Sequence, residues 1–417
     1  MHIVAITGNY IPFMKPPVRC LNPFLEDLSV DNDVEVVCPV YSRRNLEDCK
    51  VDNIQVCFVD SWNNRLLSTI QTNREEKRHK YITKFLYLVF RSYRFLSSCF
   101  RKEAYETDLI QPFIQRVEQI HENKKIDLLI SVSFPFYNHI AALELKKRHP
   151  DIKWFTFTTD PISYSESNPL PNSKVALARK QEQEVYDSCD YCFCTEELYT
   201  NLVDDFHVSY EKVMALPFLL TSSVVLEGEK NKAINTRSSA LYAGYLYNKI
   251  RNPKLMIDVF SKIKVIKLNL YVRGDRYCRK FLSKLKADNV QVNDMVSRDK
   301  YIQLLLASDF LVNLSNSVRL QAPSKLLELV STGKPVINFY FHQDTGYHII
   351  EKYPLGININ NKQSFDDILT SVTKFIENNK GKTISFAELE RIYPEHLFAN
   401  QRVKFRSIVN NNVKQKV

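Results

Sequence analysis

Short apolar runs, rich in β-branched and aromatic residues, alternate along this chain with longer segments whose apolar residues recur every three or four positions. The short runs are typical of buried strands, and the longer segments are typical of amphipathic helices. Buried strands separated by helices indicate a parallel sheet that is covered on both faces. The predicted strands are His2–Thr7, Val34–Val37, Gln55–Val59, Asp127–Ser131, Lys153–Thr159, Asp190–Cys194, Lys212–Leu216, Ala240–Ala243, Lys267–Val272, Asn289–Val292, Asp309–Leu314 and Pro335–Phe339.

A polar and aperiodic segment, residues 219–237, divides this alternation into two blocks. A chain of 417 residues is long enough for two domains that each bury a full core. We therefore expect an α/β fold of two doubly wound, Rossmann-like domains that face each other across a cleft, with ligands at the carboxyl ends of the strands. The expected domains are residues 1–218 and 238–385, joined by the linker 219–237 and followed by a helical segment, 386–417, that packs back across both domains.

The composition limits the partners and the compartment. Lys and Arg number 57 against 47 Asp and Glu, a net charge of +10 that favours anionic partners such as phosphorylated ligands, anionic membranes or nucleic acid. No nucleic-acid recognition motif is present, so we expect no nucleic-acid partner. Cys189, Cys192 and Cys194 lack the second Cys or His pair of a zinc site, so we expect no metal. Met1–Ile6 is strand-like and not a secretory leader, which predicts a cytoplasmic protein.

Glycine occurs only eight times, which excludes motifs built on several glycines, such as G-x-G-x-x-G. Three of the eight, Gly8, Gly244 and Gly274, end predicted strands. A glycine in that position permits a tight turn and also the close approach of a ligand to the backbone. A turn alone would explain one such glycine, whereas three at the ends of strands favour a ligand nearby.

The segment Gln321–Phe339 predicts a helix that begins at Pro323 and Ser324. The amino end of such a helix attracts an anion such as a diphosphate, and Lys325 in its first turn adds positive charge. Glu328 lies in the second turn, among leucines. It is either a carboxylate that accepts hydrogen bonds from the hydroxyl groups of a ribose or a solvated position of an amphipathic helix.

The stretch Ala322–Ile337, APSKLLELVSTGKPVI, resembles the donor-site helix of retaining glycosyltransferases of the GT-B fold, family 4 type. Three further segments occur in the matching order along almost the whole chain. MHIVAITGNYIP resembles the first strand and acceptor-side loop of that family, and SVSFPFYNHIAALELKKRHP with WFTFTTDP resembles the middle of its N-terminal domain. SALYAGYLYNKIRNPKLMIDVF resembles the first strand and phosphate-contacting loop of its nucleotide domain.

The resemblance implies transfer of a sugar from a nucleotide-sugar to an acceptor, with retention at the anomeric carbon. It implies no metal and no cofactor, because the nucleotide-sugar is a co-substrate. Residues 238–385 would bind the donor, and residues 1–218 would form the acceptor side. Glu328 matches the ribose-binding glutamate, and either Lys249 or Arg251 matches a diphosphate-binding basic residue. The other residues predicted to bind the donor are Gly244, Gly274, Ser324 and Lys325.

On the acceptor side, the resemblance implies that Gly8 and Asn9 lie near the transferred sugar or the acceptor. His139 and Asp160 are predicted to lie on the same side of the cleft, and they are the two candidates for a catalytic role. Two interpretations of His139 stay open, because a structural histidine with both ring nitrogens hydrogen-bonded fits the pattern as well as a sugar contact does.

The sequence departs from the family pattern at three places. Leu320 replaces a glutamate that contacts the transferred sugar eight residues before Glu328. Tyr245 replaces the arginine expected just after Gly244, and PFMKPP replaces a glycine pair in the first loop. Leu320 motivates one alternative function, a non-catalytic GT-B-like scaffold of a glycan-assembly complex. A second alternative is a nucleotide-sugar 2-epimerase, an enzyme class that shares the two-domain fold.

Residues 77–102, KRHKYITKFLYLVFRSYRFLSSCFRK, predict a long amphipathic helix. At about 100° per residue, every basic residue except Arg78 falls within an arc of about 120°, and most apolar residues lie outside it. The longest uncharged run is far too short to cross a bilayer. The pattern is typical of a helix in a membrane interface, and a core helix with a solvated basic face has the same pattern. The cations predicted to face the membrane are Lys84, Arg91, Arg94 and Arg101.

Members of this family often act on lipid-linked acceptors. We therefore expect a cytoplasmic glycosyltransferase, bound peripherally to the inner face of the cytoplasmic membrane. Its partners would be a nucleotide-sugar donor and a glycan acceptor that is lipid-linked, in the synthesis of a cell-surface polysaccharide.

Overall fold

The computed structural model describes residues 1–11, 14–41, 47–75, 79–164, 170–221, 238–318, 320 and 325–413. The chain divides into two compact units, the first comprising Met1–Leu216 and Gln401–Val417 and the second comprising Pro217–Asn400. Each unit is built around one largely parallel sheet, which confirms the predicted fold class of two Rossmann-like α/β domains. Most of the predicted linker, from residue 222 to residue 237, lies outside the described residues.

The first unit contains an eight-stranded sheet. Its strands are β1 (His2–Ile6), β2 (Asp33–Pro39), β3 (Cys49–Val51), β4 (Ile54–Val59), β5 (Leu128–Ser133), β6 (Lys153–Thr158), β7 (Tyr191–Cys194) and β8 (Val213–Ala215). They are ordered β3-β4-β2-β1-β5-β6-β7-β8, and every neighbouring pair is parallel except β3 and β4. The central strands are buried along their whole length, as expected of a parallel sheet with both faces covered.

Helices cover this first sheet. They are α1 (Pro16–Leu28), α2 (Trp62–Glu75), α3 (Lys80–Phe100), α4 (Ile110–Asn123), α5 (Tyr137–Arg148), α6 (Asn172–Ser188) and α7 (Glu196–Thr200). Helix α3 corresponds to the amphipathic helix predicted for residues 77–102. It packs against α2, where the Trp62 and Tyr93 rings meet edge to face at 5.5 Å. The described helices include none with the length and apolarity needed to cross a bilayer.

The second unit contains a six-stranded sheet that is parallel throughout. Its strands are β9 (Ser239–Leu246), β10 (Lys267–Gly274), β11 (Val290–Asn293), β12 (Phe310–Leu314), β13 (Val336–Tyr340) and β14 (Gly356–Asn360), in the order β11-β10-β9-β12-β13-β14. Its helices are α8 (Lys254–Lys262), α9 (Arg276–Leu282), α10 (Arg298–Ala307), α11 (Leu326–Val330), α12 (Thr345–Lys352), α13 (Phe365–Asn379) and α14 (Phe386–Ile392).

The last helix, α15 (Phe398–Val413), joins the core of the first unit from Gln401 onward. The Phe405 ring stacks on Phe193 of β7 with ring centroids 4.7 Å apart, and it lies 4.7 Å from the Phe24 ring of α1. Arg406 forms ion pairs with Asp27 and Asp31. The segment predicted as one element, residues 386–417, is therefore shared, because α14 belongs to the second unit and most of α15 to the first.

All the predicted strands are present, whereas β3 and β14 were not predicted. Strand β3 is a three-residue edge strand, too short for a recognisable alternation of side chains. Strand β14 reads GININ, and glycine and asparagine have low strand propensity. Its strand conformation is stabilised by pairing with the neighbouring strand β13.

A row of amide side chains crosses three strands of the second sheet. Asn338 of β13 accepts a hydrogen bond from Asn313 Nδ2 at 2.8 Å and donates through its own Nδ2 to Asn358 Oδ1 at 2.8 Å. Asn338 is fully buried, and the Ser315 hydroxyl also donates to its Oδ1 at 3.2 Å. Buried amides that satisfy one another in this way stabilise the alignment of β12, β13 and β14.

Substitution Asn338→Ala should lower the free energy of unfolding by about 2–3 kcal/mol, because it removes these bonds and leaves Asn313 with only a long bond, 3.5 Å, to the Ser315 hydroxyl in a buried site. Urea unfolding measures the effect. The control is Asn378→Ala, at an exposed position of α13, for which we expect a change near zero. Equal stability of the two variants would show that the amide row does not stabilise the sheet.

Candidate functional site

In the second unit, the turn after β9 brings Gly244 and Arg251 together. Tyr247 and Arg251 form a two-residue bridge with backbone N–O distances of 2.9 and 3.2 Å, so the chain folds back on itself. Arg251 Nε donates to Asn316 Oδ1 at 3.0 Å, and its Nη1 lies 3.9 Å from the point where Gly244 would carry a Cβ atom. The side chain of Lys249 is exposed at the tip of the turn. Of the two basic residues predicted as alternatives, Arg251 is thus the one held beside Gly244.

Glu328 is buried, and its carboxylate forms an ion pair with Arg298 at the start of α10. The Arg298 guanidinium and the Lys325 ammonium each lie 5.5 Å from the centre of the Tyr301 ring. The buried carboxylate is thus paired with one cation, and the Tyr301 ring lies beside both that cation and Lys325. The interpretation of Glu328 as a solvated position of an amphipathic helix does not agree with this burial.

Two other predicted donor-side residues, Ser324 and Gly274, fall outside the described residues or differ from expectation. Ser324 lies outside them, and the described helix comprises only Leu326–Val330, with Lys325 just before it. At Gly274 a Cβ atom would lie 2.8 Å from Cys278 Cβ, so close packing of α9 accounts for this glycine. Leu320, the departure from the family pattern, is half-buried.

In the first unit, the loops that follow β1, β5 and β6 lie at the same edge of the sheet, because these strands are adjacent and parallel. A Cβ atom at Gly8 would lie 3.1 Å from Pro135 Cδ, so the first two loops are in contact. Asp160 follows β6 and is half-buried, and its Oδ2 accepts a hydrogen bond from the Thr159 hydroxyl at 3.2 Å. Gly8, Asn9 and Asp160 therefore occupy one edge of the first sheet.

His139 is fully buried in α5, and both ring nitrogens have partners. Its Nδ1 is 2.7 Å from the Ser131 hydroxyl, and its Nε2 is 3.0 Å from the Thr158 hydroxyl. Burial lowers the pKa of the imidazole to about 3, so the ring is neutral at physiological pH. The geometry favours the structural interpretation of His139 over a sugar contact, since neither ring nitrogen faces an accessible surface.

A cavity of about 540 Å³ opens in the first unit between this edge of the sheet and α3. Asn9 and Phe134 line its sheet side, and Phe90, Tyr93 and Arg94 line its helix side. Charged and aromatic side chains both contribute to its surface. A mixed lining of this kind suits a polar ligand with apolar faces, such as a sugar.

Glu182 of α6, which belongs to no predicted site, anchors the loop that carries Asp160. Its carboxylate is fully buried and accepts hydrogen bonds from the backbone N–H groups of Ile162 at 2.6 Å and Ser163 at 3.2 Å, and from the Ser163 hydroxyl. Burial raises the pKa of Glu182 to about 7, although these hydrogen bonds oppose the rise. The available signal was a carboxylate within the apolar stripe of α6, between Ala178 and Val185.

The stability of the protein should fall as pH rises from 5 to 8, by up to about 3 kcal/mol from Glu182 alone. The folded state holds this proton up to about pH 7, whereas the unfolded chain loses it near the ordinary value of 4.5, so deprotonation favours unfolding. Urea unfolding across this pH range measures the slope. Glu182→Gln should remove this contribution, whereas the control Glu184→Gln, exposed on the same helix, should keep it. A slope that survives in Glu182→Gln would assign the pH dependence to other groups.

Among the described residues, no group of three or more His, Cys, Asp or Glu side chains is arranged to hold a metal ion. The predicted site residues that the structure describes lie in three places. These are Gly244 with Arg251, Glu328 with Arg298, and the edge of the first sheet with its cavity.

No protein-family model and no curated protein matches this chain by sequence. Several solved structures match it over nearly its whole length. A sucrose-phosphate synthase from Thermosynechococcus elongatus matches with a TM-score of 0.67 at 9% identity, covering 99% of each chain. The apo form of the lipopolysaccharide outer core galactosyltransferase WaaB matches with a TM-score of 0.58 at 13% identity, covering 100% of each.

The Anabaena protein HepE, solved in complex with UDP and glucose, matches with a TM-score of 0.62 at 10% identity, covering 98% of this chain and all of that one. These structures have the GT-B fold, and the alignments include both units of the present chain. The likeness confirms the predicted GT-B fold.

Proposed function

We propose that this chain is a retaining glycosyltransferase of the family 4 type. In this proposal it transfers a sugar from a nucleotide-sugar to a lipid-linked glycan during synthesis of a cell-surface polysaccharide. The observation that carries the proposal is the match of both units, over 98% or more of the chain, to structures that include a galactosyltransferase and a protein bound to UDP and glucose. The residues of the second unit support it with chemistry suited to a nucleotide-sugar.

The donor would bind through two features of the second unit. The buried carboxylate of Glu328 can accept hydrogen bonds from both hydroxyls of a ribose. Hydrogen bonds to a charged carboxylate are stronger than hydrogen bonds to a neutral acceptor. Arg251 and Lys325 carry the positive charge that a diphosphate needs. As the bond between the sugar and the diphosphate breaks, negative charge develops on the leaving group, and cations fixed nearby stabilise it. In this proposal the cations of the chain, rather than a metal ion, perform that role.

The binding of a panel of nucleotide-sugars and free nucleotides tests the donor site. We expect calorimetry to show that nucleotides carrying one particular base bind to the chain. Glu328→Gln should weaken that binding by about 1–3 kcal/mol, because the amide lacks the charge that strengthens the hydrogen bonds. The control is Glu390→Gln, at an exposed position of α14. Absence of binding by every member of the panel would contradict the proposal.

Product analysis separates the proposed reaction from its two alternatives. A glycosyltransferase releases the nucleotide and passes the sugar to a lipid-linked acceptor, and NMR of the product reports whether the anomeric configuration is retained. Conversion of the nucleotide-sugar in the absence of any acceptor would instead favour the 2-epimerase. Donor binding without sugar transfer to any lipid-linked acceptor would favour the scaffold, which half-buried Leu320 supports because it provides no carboxylate for the sugar.

Peripheral membrane binding is proposed from the surface of α3. Eight large apolar or aromatic side chains of this helix are exposed, including Phe85 at 66% and Phe100 at 86%. At about 100° per residue these eight lie within an arc of about 140°. Lys80, Lys84 and Arg91 lie within about 40° of one another, beside one edge of this arc. Among the described side chains of α3, those of Thr83 and Phe90, on a third face, are buried against the rest of the first unit.

This arrangement supports the interfacial interpretation of α3. A core helix with a solvated basic face would bury its aromatic side, whereas here that side is exposed. A contiguous exposed apolar surface is uncommon on a monomeric soluble protein and marks a binding surface. An anionic bilayer fits it best, because acyl chains accept the apolar side chains and anionic headgroups attract the neighbouring cations.

The double change Phe85→Ser with Val89→Ser should weaken binding to vesicles of three parts phosphatidylcholine and one part phosphatidylglycerol by about 2–4 kcal/mol, since two apolar side chains no longer enter the bilayer. Vesicle co-sedimentation measures it. The matched control is Val30→Ser with Val403→Ser, at positions 74% and 69% exposed outside α3.

Reversal of charge at Lys84 and Arg91 to Glu should weaken binding to these anionic vesicles, by about 1 kcal/mol per neutralised cation or more. Binding to pure phosphatidylcholine should change little. Vesicle binding that survives both double changes would show that α3 is not the membrane surface.

A further inference from the structure

The cavity of the first unit adjoins the exposed face of α3. Tyr93 belongs to both, because it lines the cavity and is also one of the exposed aromatic residues of the helix. Phe90 and Arg94, on the same helix, line the cavity as well. A ligand held in this cavity can therefore extend an apolar chain along the surface proposed to enter the membrane.

Four cations line this cavity: Lys15, Arg94, Arg101 and Lys174. Two of them are engaged, since Arg94 pairs with Glu106 and Lys174 donates to the backbone oxygens of Arg101 at 2.7 Å and Glu103 at 3.2 Å. Within the described part of the chain, the side chains of Lys15 and Arg101 have no hydrogen-bond or ion-pair partner.

The environment of Lys15 favours an anion. Desolvation and the nearby charge of Arg94 both lower the pKa of its ammonium group, so an anion bound beside it would relieve both effects. Helix α1 begins at the next residue and has no acidic side chain in its first turn, so the positive end of its dipole is uncompensated.

Three carboxylates also line the cavity: Glu103, Glu106 and Asp108. Glu106 is neutralised by Arg94, and Asp108 accepts a hydrogen bond from the Ser61 hydroxyl at 2.6 Å. Carboxylates are common acceptors for sugar hydroxyls, and the neighbouring rings of Tyr105 and Phe136, 5.5 Å apart, offer apolar surface. The lining thus combines free cations with groups that suit a sugar.

We propose that this cavity binds the phosphate of a sugar phosphate, with Lys15 and Arg101 as the phosphate ligands. This inference rests on the proposed function, because that function makes the phosphate-bearing end of a lipid-linked acceptor the ligand of the cavity. The phosphate is bound and not transferred. A phosphate fits better than a carboxylate, because its three free oxygens can accept hydrogen bonds from cations on different sides of the cavity.

Binding of decyl phosphate to the full chain, by calorimetry below its micelle concentration, tests the site. We expect Lys15→Gln and Arg101→Gln each to weaken it about tenfold, the scale of one lost charge-assisted hydrogen bond. The matched control is Lys180→Gln, exposed on α6 and outside the cavity. The neutral probe decyl β-glucoside should bind all the variants alike.

Three results would overturn the proposal: unchanged affinity in both cavity variants, an equal loss in Lys180→Gln, or decanoate binding as tightly as decyl phosphate. Thermal unfolding checks that each variant is folded, and Arg101→Gln alone carries the test should Lys15→Gln unfold. Inorganic phosphate and glucose 1-phosphate identify the source of the ligand. If decyl phosphate binds more tightly than inorganic phosphate and glucose 1-phosphate, the ligand is lipid-linked. If glucose 1-phosphate binds more tightly than decyl phosphate, and the cavity variants weaken its binding about tenfold as well, the phosphate site stands and its ligand is a free sugar phosphate.

Nucleotide binding to the second unit is measured separately on the same variants. Loss of decyl phosphate binding in the cavity variants, with no nucleotide bound by any form of the chain, would support the phosphate site and contradict the proposed function. Nucleotide binding, together with unchanged affinity of the cavity variants for decyl phosphate, would support the proposed function and contradict the phosphate site.

Discussion

Parallel strand pairing is the constraint on which the rest of this structure depends. Because neighbouring strands run in the same direction, their carboxyl ends meet at one edge, and residues far apart in the chain become neighbours there. Gly8 and Pro135 are in contact for this reason, although 127 positions separate them. The second sheet, which is parallel throughout, brings the turn after β9 against the loop after β12, where Arg251 donates to Asn316.

Burial then decides what each polar residue at these edges can do. His139 and Glu328 are both buried in helices, yet their surroundings differ. Ser131 and Thr158 occupy both nitrogens of His139, which leaves a neutral structural ring. Glu328 is instead paired with the side chain of Arg298, which is 43% exposed. Glu182 positions a loop, because its carboxylate accepts hydrogen bonds from the loop backbone.

The surface of α3 depends on its narrow contact with the first unit. The helix pattern alone distinguishes a basic side from an apolar side, and the apolar side of most such helices is buried. Of the side chains of α3 that the structure describes, Thr83 and Phe90 are the buried ones. The aromatic side is exposed, and one of its members, Tyr93, also lines the cavity. The membrane surface and the phosphate site proposed for this chain are therefore two sides of one helix.

The sequence by itself determined the two α/β units, the predicted strands and the amphipathic character of α3, because the spacing of apolar residues along a buried strand or a helix is a local property. The placement of Gly8, Asn9 and Asp160 on the acceptor side came from the resemblance to the glycosyltransferase family and not from these local signals. Only the tertiary structure decided that Arg251 and not Lys249 lies beside Gly244, that Glu182 anchors a loop, and that Lys15 and Arg101 share a cavity. Each of these depends on distances between residues from different elements, which no local spacing encodes.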